Sequence, residues 1–451
     1  MNYENAVRYL LTLGRELAAP TQAAAAKFNL ENITALLERL GRPERAFPSV
    51  HIAGTNGKGS TAAFIDSILR KAGFRTGLNT SPHLERITER IRIDGEEITE
   101  ELFAEIFTRI AAAIEGLLAD GHLKAHPTYF ECVTAIAFEA FARERVDFAV
   151  VEVGLGGRLD ATNVITPVVS VITRVDFDHE NFLGHSLGEI AKEKAGILKE
   201  NVPAVIADQQ EAARAVLLSV AQELRCPVTE VPEAFAIERE RVEDGFTRAT
   251  VFEKASGRRF EIAPQLAGRF QLHNALNALA CARILHGQNY KISDADIADG
   301  IRGARWPGRM ERLQKNPDVY LDGAHNPGAA RELARFLEET FAGRRIYLLF
   351  GAMRDKAIDE VTGLLFPLAY EVIFTEANTP RAISASQLEQ LAGHHATRSV
   401  VVPEAEKALD LALARARRDD AIFVTGSLYL VGQVRHAWRE RGKFAHGPEK
   451  I

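Results

Sequence analysis

The ten residues from His51 to Ser60 read HIAGTNGKGS and set glycines at 54, 57 and 59 around Lys58. Glycine-rich loops of this kind suit phosphate, because a missing Cβ lets backbone N–H groups approach an anion and permits positive φ. A β-like run, SVHIA (49–53), precedes the loop, and Ser60-Thr61 opens a helix-patterned segment, so a helix dipole would face the same anion. Lys58 would add a point charge for the outer phosphates. The spacing nevertheless departs from the ordinary G-x-x-x-x-G-K-[ST] pattern: Ile52 stands at its first glycine and Gly59 at its hydroxyl. A tight turn that merely contains a lysine stays open as the alternative.

Other groups able to do chemistry follow further β-like runs. Ser81 lies in TSPHL, Glu152 in VVEVGLGGRLDATN, and Asp176, Asp178 and His179 in VDFDHENFLG. In an open parallel sheet, residues at the carboxyl ends of strands converge whatever their separation in sequence. A carboxylate and a hydroxyl brought together there make a Mg²⁺ site that phosphate oxygens and water can complete. His179 is the odd member, since magnesium prefers oxygen; alone it reads as a core or surface histidine. Asp176 and Asp178 read equally well as caps of the next helix. Lys192 and Lys194, on the helix-patterned SLGEIAKEKAGIL, read from spacing alone as two solvated cations.

Alternating β-branched runs and helical patterns must position these residues. Strands are expected at SVHIA, RTGLNT (75–80), DFAVVEVG (147–154), VVSVIT (168–173) and PAVIA (203–207). STAAFIDSILRKAG has apolar residues at three- and four-residue spacing and ends on Gly73, which suits a helix C-cap. Residues 228–263 change character, and VFEKASGRRFEIAP predicts a hairpin around Ser256-Gly257. Past GIRGARWPGRMERL (300–313) a fresh series begins: VYLD (319–322), RIYLLFG (345–351), EVIFTEA (371–377), VVVPE (400–404) and AIFVTGS (421–427). The expectation is a two-domain α/β protein. Residues 1–300 would form a P-loop-type, mostly parallel sheet with helices on both faces and a small antiparallel addition. Residues 301–451 would form a Rossmann-like α/β domain. The alanine-rich AAPTQAAAAKF (18–28) reads as a loop entering a helix.

With 451 residues the chain exceeds one ordinary core. Its 46% hydrophobic and 26% charged residues are those of a globular protein. A net charge of −6 gives no reason to expect nucleic acid as a partner. Cys132, Cys226 and Cys281 form no C-x-x-C pair and read as buried thiols in a reducing compartment. The N-terminus lacks the basic start and apolar stretch of a signal peptide, and no run approaches the roughly 18 apolar residues of a membrane span. A cytoplasmic protein without membrane contact is expected.

GTNGKGS, SPHL, TERIRIDG, EVGLGGRLDATN, DHENFLG, KEKAGI, RWPGRME and LDGAHNPGA occur in this order. Together they make the chain resemble the folylpolyglutamate synthase and dihydrofolate synthase family of the Mur ligase superfamily, over about residues 1–435. That superfamily uses G-T-x-G-K, which accounts for the altered loop. The resemblance implies an ATP-dependent amide ligase that adds L-glutamate to folate, and to dihydropteroate, through an acyl phosphate. It implies that Gly54, Thr55, Asn56, Gly57, Lys58, Gly59 and Ser60 hold the ATP phosphates. Ser81 and Glu152 would ligate one Mg²⁺, with His179 on another or a shared ion. Lys194 corresponds to a lysine carbamylated by CO₂, and with Lys58 and His325 would make the catalytic set. Asn274 and Arg309 would reach the nucleotide and Asp322 its ribose. Tyr129 and Phe130, with Asp160, Ala161 and Thr162, would line the folate site, although an aromatic at helical spacing is otherwise more often core. The site would be a cleft between domains that closes on binding, in a monomer.

Three other readings compete. A peptidoglycan-type Mur ligase is disfavoured because only 53 residues precede Gly54, less than an ordinary domain of about 100 residues. A non-catalytic nucleotide-binding relative would usually have lost one of Lys58, Ser81, Glu152, His179 or Lys194. A motion-coupled P-loop NTPase would carry Ser or Thr directly after Lys58.

Overall fold

The computed structural model describes residues 1–14, 29–354 and 356–445; the segment 18–28 lies outside the described residues. The first sheet contains β1 (Ser49–Ala53), β2 (Thr76–Asn79), β3 (Ile91–Ile93), β4 (Glu96–Glu97), β5 (Phe148–Glu152), β6 (Val169–Ile172), β7 (Ala204–Ile206) and β8 (Val228–Glu230). Their order is β4-β3-β2-β5-β1-β6-β7-β8. The pairs β2–β3 and β3–β4 are antiparallel, and the other neighbours pair parallel. β1, β5 and β6 are buried at every residue, which is why they read as mainly apolar runs, interrupted by His51 in β1 and Ser170 in β6. The short edge strands β4 and β8, and β3 beside β4, carry polar, partly exposed residues and give no such signal.

Helices cover both faces of this sheet. On one face Lys58–Lys71 and Arg269–Gly287 pack Phe64, Ile65, Leu272 and Leu279 against Val50, Ile52 and Val150. On the other, Tyr3–Gly14, Glu31–Leu40, Glu100–Ala119 and Tyr129–Arg143 converge on Phe107, Phe138 and Phe141. Each such fully buried side chain contributes about 1.5–3 kcal/mol by the area it removes from water. The chain leaves β1 toward β2 on one side and β6 toward β7 on the other. That divergence opens a crevice at the carboxyl ends of β1 and β6, where open α/β sheets bind ligands.

The hairpin expected around Ser256-Gly257 is present as β10 and β11, and β9 extends it. β9 (Phe235–Glu243), β10 (Phe246–Glu253) and β11 (Arg258–Ile262) form a three-stranded antiparallel sheet. A third sheet contains β12 (Glu311–Gln314), β13 (Asp318–Leu321), β14 (Ile346–Phe350), β15 (Glu371–Glu376), β16 (Ser399–Glu404) and β17 (Ala421–Thr425). Its order is β12-β13-β17-β14-β15-β16, and only β12 runs antiparallel. Tyr320 stacks on Phe423 at 5.1 Å in its core. Among the described residues no helix is long and apolar enough to cross a membrane.

His51, inside β1, is wholly buried, and its Nε2 lies 2.9 Å from Thr162 Oγ1. Burial, aided by the Lys199 charge, pushes its imidazole down to about 3, so the folded chain holds it neutral. Unfolding lets it regain a proton anywhere below about 6.5. The unfolded state therefore binds more protons, and stability falls as pH drops from about 6.5 toward 3, by up to about 1.4 kcal/mol per pH unit. Urea midpoints measured across that window should show the slope, and His51→Leu should flatten part of it.

Candidate active site

The loop after β1 is stitched to the segment after β6. Thr55 and Asn56 N–H groups donate to Arg174 O at 2.9 and 3.2 Å. Thr55 Oγ1 donates to Asp176 O at 2.9 Å and accepts from the Asp176 N–H at 3.0 Å. The helix begins at Lys58, two residues earlier than Ser60-Thr61, with Gly57 as its N-cap at φ +89°. Its first internal bond runs from Thr61 N–H to Gly57 O, so the N–H groups of Lys58, Gly59 and Ser60 precede the ladder and suit an anion. A Cβ at Gly57 would lie 2.2 Å from Asn274 Oδ1, and one at Gly59 2.9 Å from Trp306 Nε1.

Two lysines meet on one oxygen. Lys58 Nζ donates to Gly54 O at 3.1 Å and Thr55 O at 3.2 Å, while Lys194 Nζ donates to the same Gly54 O at 2.9 Å. Lys194 is 3% exposed, so the solvated-cation reading is wrong for it and right only for Lys192, which is exposed. Burial, then repulsion from Lys58, drives the Lys194 ammonium down to about 7, against attraction from Asp178 and Asp160.

Glu152, buried at the end of β5, accepts the Ser81 N–H at 3.0 Å. Burial raises its carboxyl above the usual range; Lys58, the Ser81 N–H, Arg309 and Arg90 oppose the rise. Arg309 also opposes the burial-driven rise of Asp322, whose two oxygens accept the Met310 and Ala324 N–H groups, each at 2.9 Å. Asn274 Nδ2 donates to Gln271 Oε1 at 3.0 Å.

Asp176 and Asp178 do not cap a helix: the next one, Glu180–Leu183, has His179 as N-cap without a side-chain cap. Instead both reach residues of the third sheet's connections. Asp176 Oδ2 accepts from Arg331 at 2.9 Å. Asp178 accepts from Lys356 Nζ at 2.8 Å and Asn326 Nδ2 at 3.2 Å, with His325 Nε2 at 3.6 Å. Burial would raise the Asp178 carboxyl, but His325, Lys356 and His179 together hold it well below the usual carboxylate range. His179 Nε2 lies 3.4 Å from Lys356 Nζ. Asn56 and Asn326 exchange amide hydrogen bonds at 3.2 and 3.0 Å.

Residues 52–282 match the Mur ligase middle domain, and residues 308–428 match the Mur ligase glutamate ligase domain. The dihydrofolate synthase/folylpolyglutamate synthase of Bacillus subtilis is 35% identical, over 91% of this chain and 94% of that protein. The folylpolyglutamate synthase of Mycobacterium tuberculosis, solved with ADP and AMPPCP, superposes with TM-score 0.86 at 33% identity, covering 96% of this chain and 99% of that one. Escherichia coli FolC, solved with DHPP and ADP, gives 0.84 at 30% identity, covering 97% and 98%.

The chain belongs to the folylpolyglutamate synthase/dihydrofolate synthase family of Mur ligases.

For a member of this family, the folate-lining residues expected from the motifs fall into two groups. Tyr129 is partly buried at the start of Tyr129–Arg143, with the Arg90 guanidinium 5.6 Å from its ring centre, and Phe130 sits against Gly154. Asp160, Ala161 and Thr162 are instead buried. Asp160 accepts from Leu155 N–H and from Thr162 N–H and Oγ1, so these residues shape the loop after β5 from within rather than present side chains at its surface.

Sequence reasoning passed over Asn326, Arg331, Lys356 and Trp306. Asn326 and Trp306 lie inside motifs already conspicuous, LDGAHNPGA and RWPGRME. Lys356 had one available signal, its place after the carboxyl end of β14. Gly57→Ala combines a strained φ with collision against Asn274. It should reduce kcat/KM for ATP by about a hundredfold or more, with a normal circular dichroism spectrum.

Proposed function

We propose that this chain joins L-glutamate to the carboxylate of folate-type pterins at the expense of ATP, in two domains that meet near residue 300. The observation that carries the roles of its residues is the Gly54 carbonyl shared by Lys58 and Lys194. Two ammonium groups on one acceptor repel. CO₂ removes the conflict: its carbon bonds Lys194 Nζ, a proton leaves, and the carbamate attracts Lys58. An amine at about 7 rather than 10.5 holds about a thousandfold more of the reactive neutral form at neutral pH.

The loop Gly54 to Ser60 then cradles the ATP phosphates, and Lys58 turns from its carbonyls to the outer ones. Asn274 and Arg309 reach the nucleotide. Asp322 anchors the segment bearing Arg309 and stands for the ribose. A folate carboxylate oxygen attacks the γ-phosphorus, ADP departs, and the glutamate amine displaces phosphate from the acyl carbon. His325, 3.6 Å from Asp178, would take the amine proton. Positioning and charge neutralisation supply the rate; no side-chain nucleophile is needed.

Ser81 and the buried Glu152 suit Mg²⁺, a hard ion satisfied by one or two carboxylates with phosphate oxygens and water. Bound there, Mg²⁺ would neutralise phosphate charge. His179 faces the Lys356 ammonium, so an ion beside it requires that lysine to withdraw. Tyr129 and Phe130 are the residues on which a pterin ring would stack.

The test is to mix the purified chain with ATP, Mg²⁺, labelled glutamate and either dihydropteroate or tetrahydrofolate. Phosphate release coupled to glutamate incorporation into tetrahydrofolate is expected, and incorporation into dihydropteroate would establish the second activity; incorporation into neither pterin defeats the proposal. The free, buried cysteines are consistent with the cytoplasm. A monomer is the state we propose, to be checked by light scattering.

A further inference from the structure

We propose that Asp359, His394 and His395 form a binding site for a single zinc-class transition ion, separate from the ligase crevice. Among the described residues these are the only His, Cys, Asp or Glu side chains that gather three ligand atoms within 4.8 Å of one another. Asp359 is the second residue of the helix Ile358–Leu365, and the two histidines close the 3₁₀ turn Gly393–His395. Asp359 Oδ1 lies 2.9 Å from His395 Nε2 and 3.7 Å from His394 Nε2, and the imidazole rings sit 3.9 Å apart.

Zinc bonds His nitrogen and carboxylate oxygen at about 2.0–2.1 Å, so neighbouring ligands of a tetrahedral ion stand about 3.3 Å apart. The two separations from Asp359 bracket that edge, and small rotations of exposed side chains would equalise them. The Asp359 side chain is 81% exposed and that of His394 60%, so the ion has an open path and room for a water as fourth ligand. Two imidazoles with one carboxylate select zinc, copper or nickel over magnesium and calcium, which prefer oxygen. The ligase crevice offers Ser81 and Glu152, so the two sites divide by ligand chemistry. Bound zinc would clamp the helix Ile358–Leu365 to the turn that ends Gly393–His395.

Full-length protein stripped with chelator is dialysed against about 10 µM Zn²⁺ in excess Mg²⁺, and bound zinc is measured by elemental analysis. One zinc per chain is expected in the wild type and in Glu152→Gln. The variant carrying Asp359→Asn, His394→Gln and His395→Gln should lose it, and His395→Gln alone should weaken it at least about tenfold. Co²⁺ in place of zinc should give visible d–d absorption in the wild type and none in the triple variant. Basal glutamate ligation should be the same in the triple variant as in the wild type, which also shows that the variant folds. Wild-type protein that holds no zinc, a triple variant that holds as much as the wild type, or zinc lost with Glu152→Gln instead would each overturn the proposal.

Discussion

Lys58→Ala should lower ligase turnover by about three orders of magnitude, the range found when a cation that neutralises phosphoryl-transfer charge is removed. Stability should change little. Among the described residues the ammonium bonds to the Gly54 and Thr55 carbonyls, while the loop is held by Thr55, Asn56 and Asp176. A second effect follows from the shared carbonyl. Lys58 is one of the influences lowering Lys194, so its removal should raise the Lys194 ammonium toward its ordinary value and slow carbamate formation. Single-turnover ADP formation and thermal unfolding measured together check both points. Near-normal turnover, or a large loss of melting temperature, would count against the assigned role.

Lys194→Ala should lose most activity and regain part of it with formate or acetate, whose oxygens can stand where the carbamate would. The wild type should lose activity in CO₂-depleted buffer and recover on adding bicarbonate. The sign of the pH dependence is set by the neutral amine, which attacks CO₂. With the ammonium at about 7, the reactivation rate at fixed dissolved CO₂ should rise as pH climbs through 7 and level off above about 8. An unburied lysine would keep rising to about 10.4. Full activity in Lys194→Ala without added carboxylate, or no response of the wild type to CO₂ removal, would sink the carbamate assignment.

Much of the fold was legible because its central strands are buried on both faces. β1, β5, β6, β14 and β17 each form a mainly apolar run, interrupted by His51 in β1 and Ser170 in β6. The short strands β3, β8 and β12, at or next to a sheet edge and half-exposed, were not legible, whereas the edge strand β16 was, because its valines form a run. The same division holds for the site. Gly57 and Lys58 announce themselves by type and spacing, whereas Lys356 looks like any surface lysine until β14 and β6 are placed. Asp176 and Asp178 look like helix caps because capping is a local rule, and their true partners lie about 150 residues away, as the bonds to Arg331 and Asn326 show.

The sequence by itself determined the glycine loop and the helix that follows it, the alternation that makes two parallel sheets, and, through its ordered motifs, the family. Those depend on local backbone freedom and on a periodicity written along the chain. Only the tertiary structure decided that Lys58 and Lys194 share one carbonyl oxygen and that Asp178 joins two sheets through His325, Asn326 and Lys356. It alone also set Asp359 against His394 and His395. Charge states at these places follow burial and the nearest opposite or like charge. Both are set by strand order and helix packing, which no local pattern encodes.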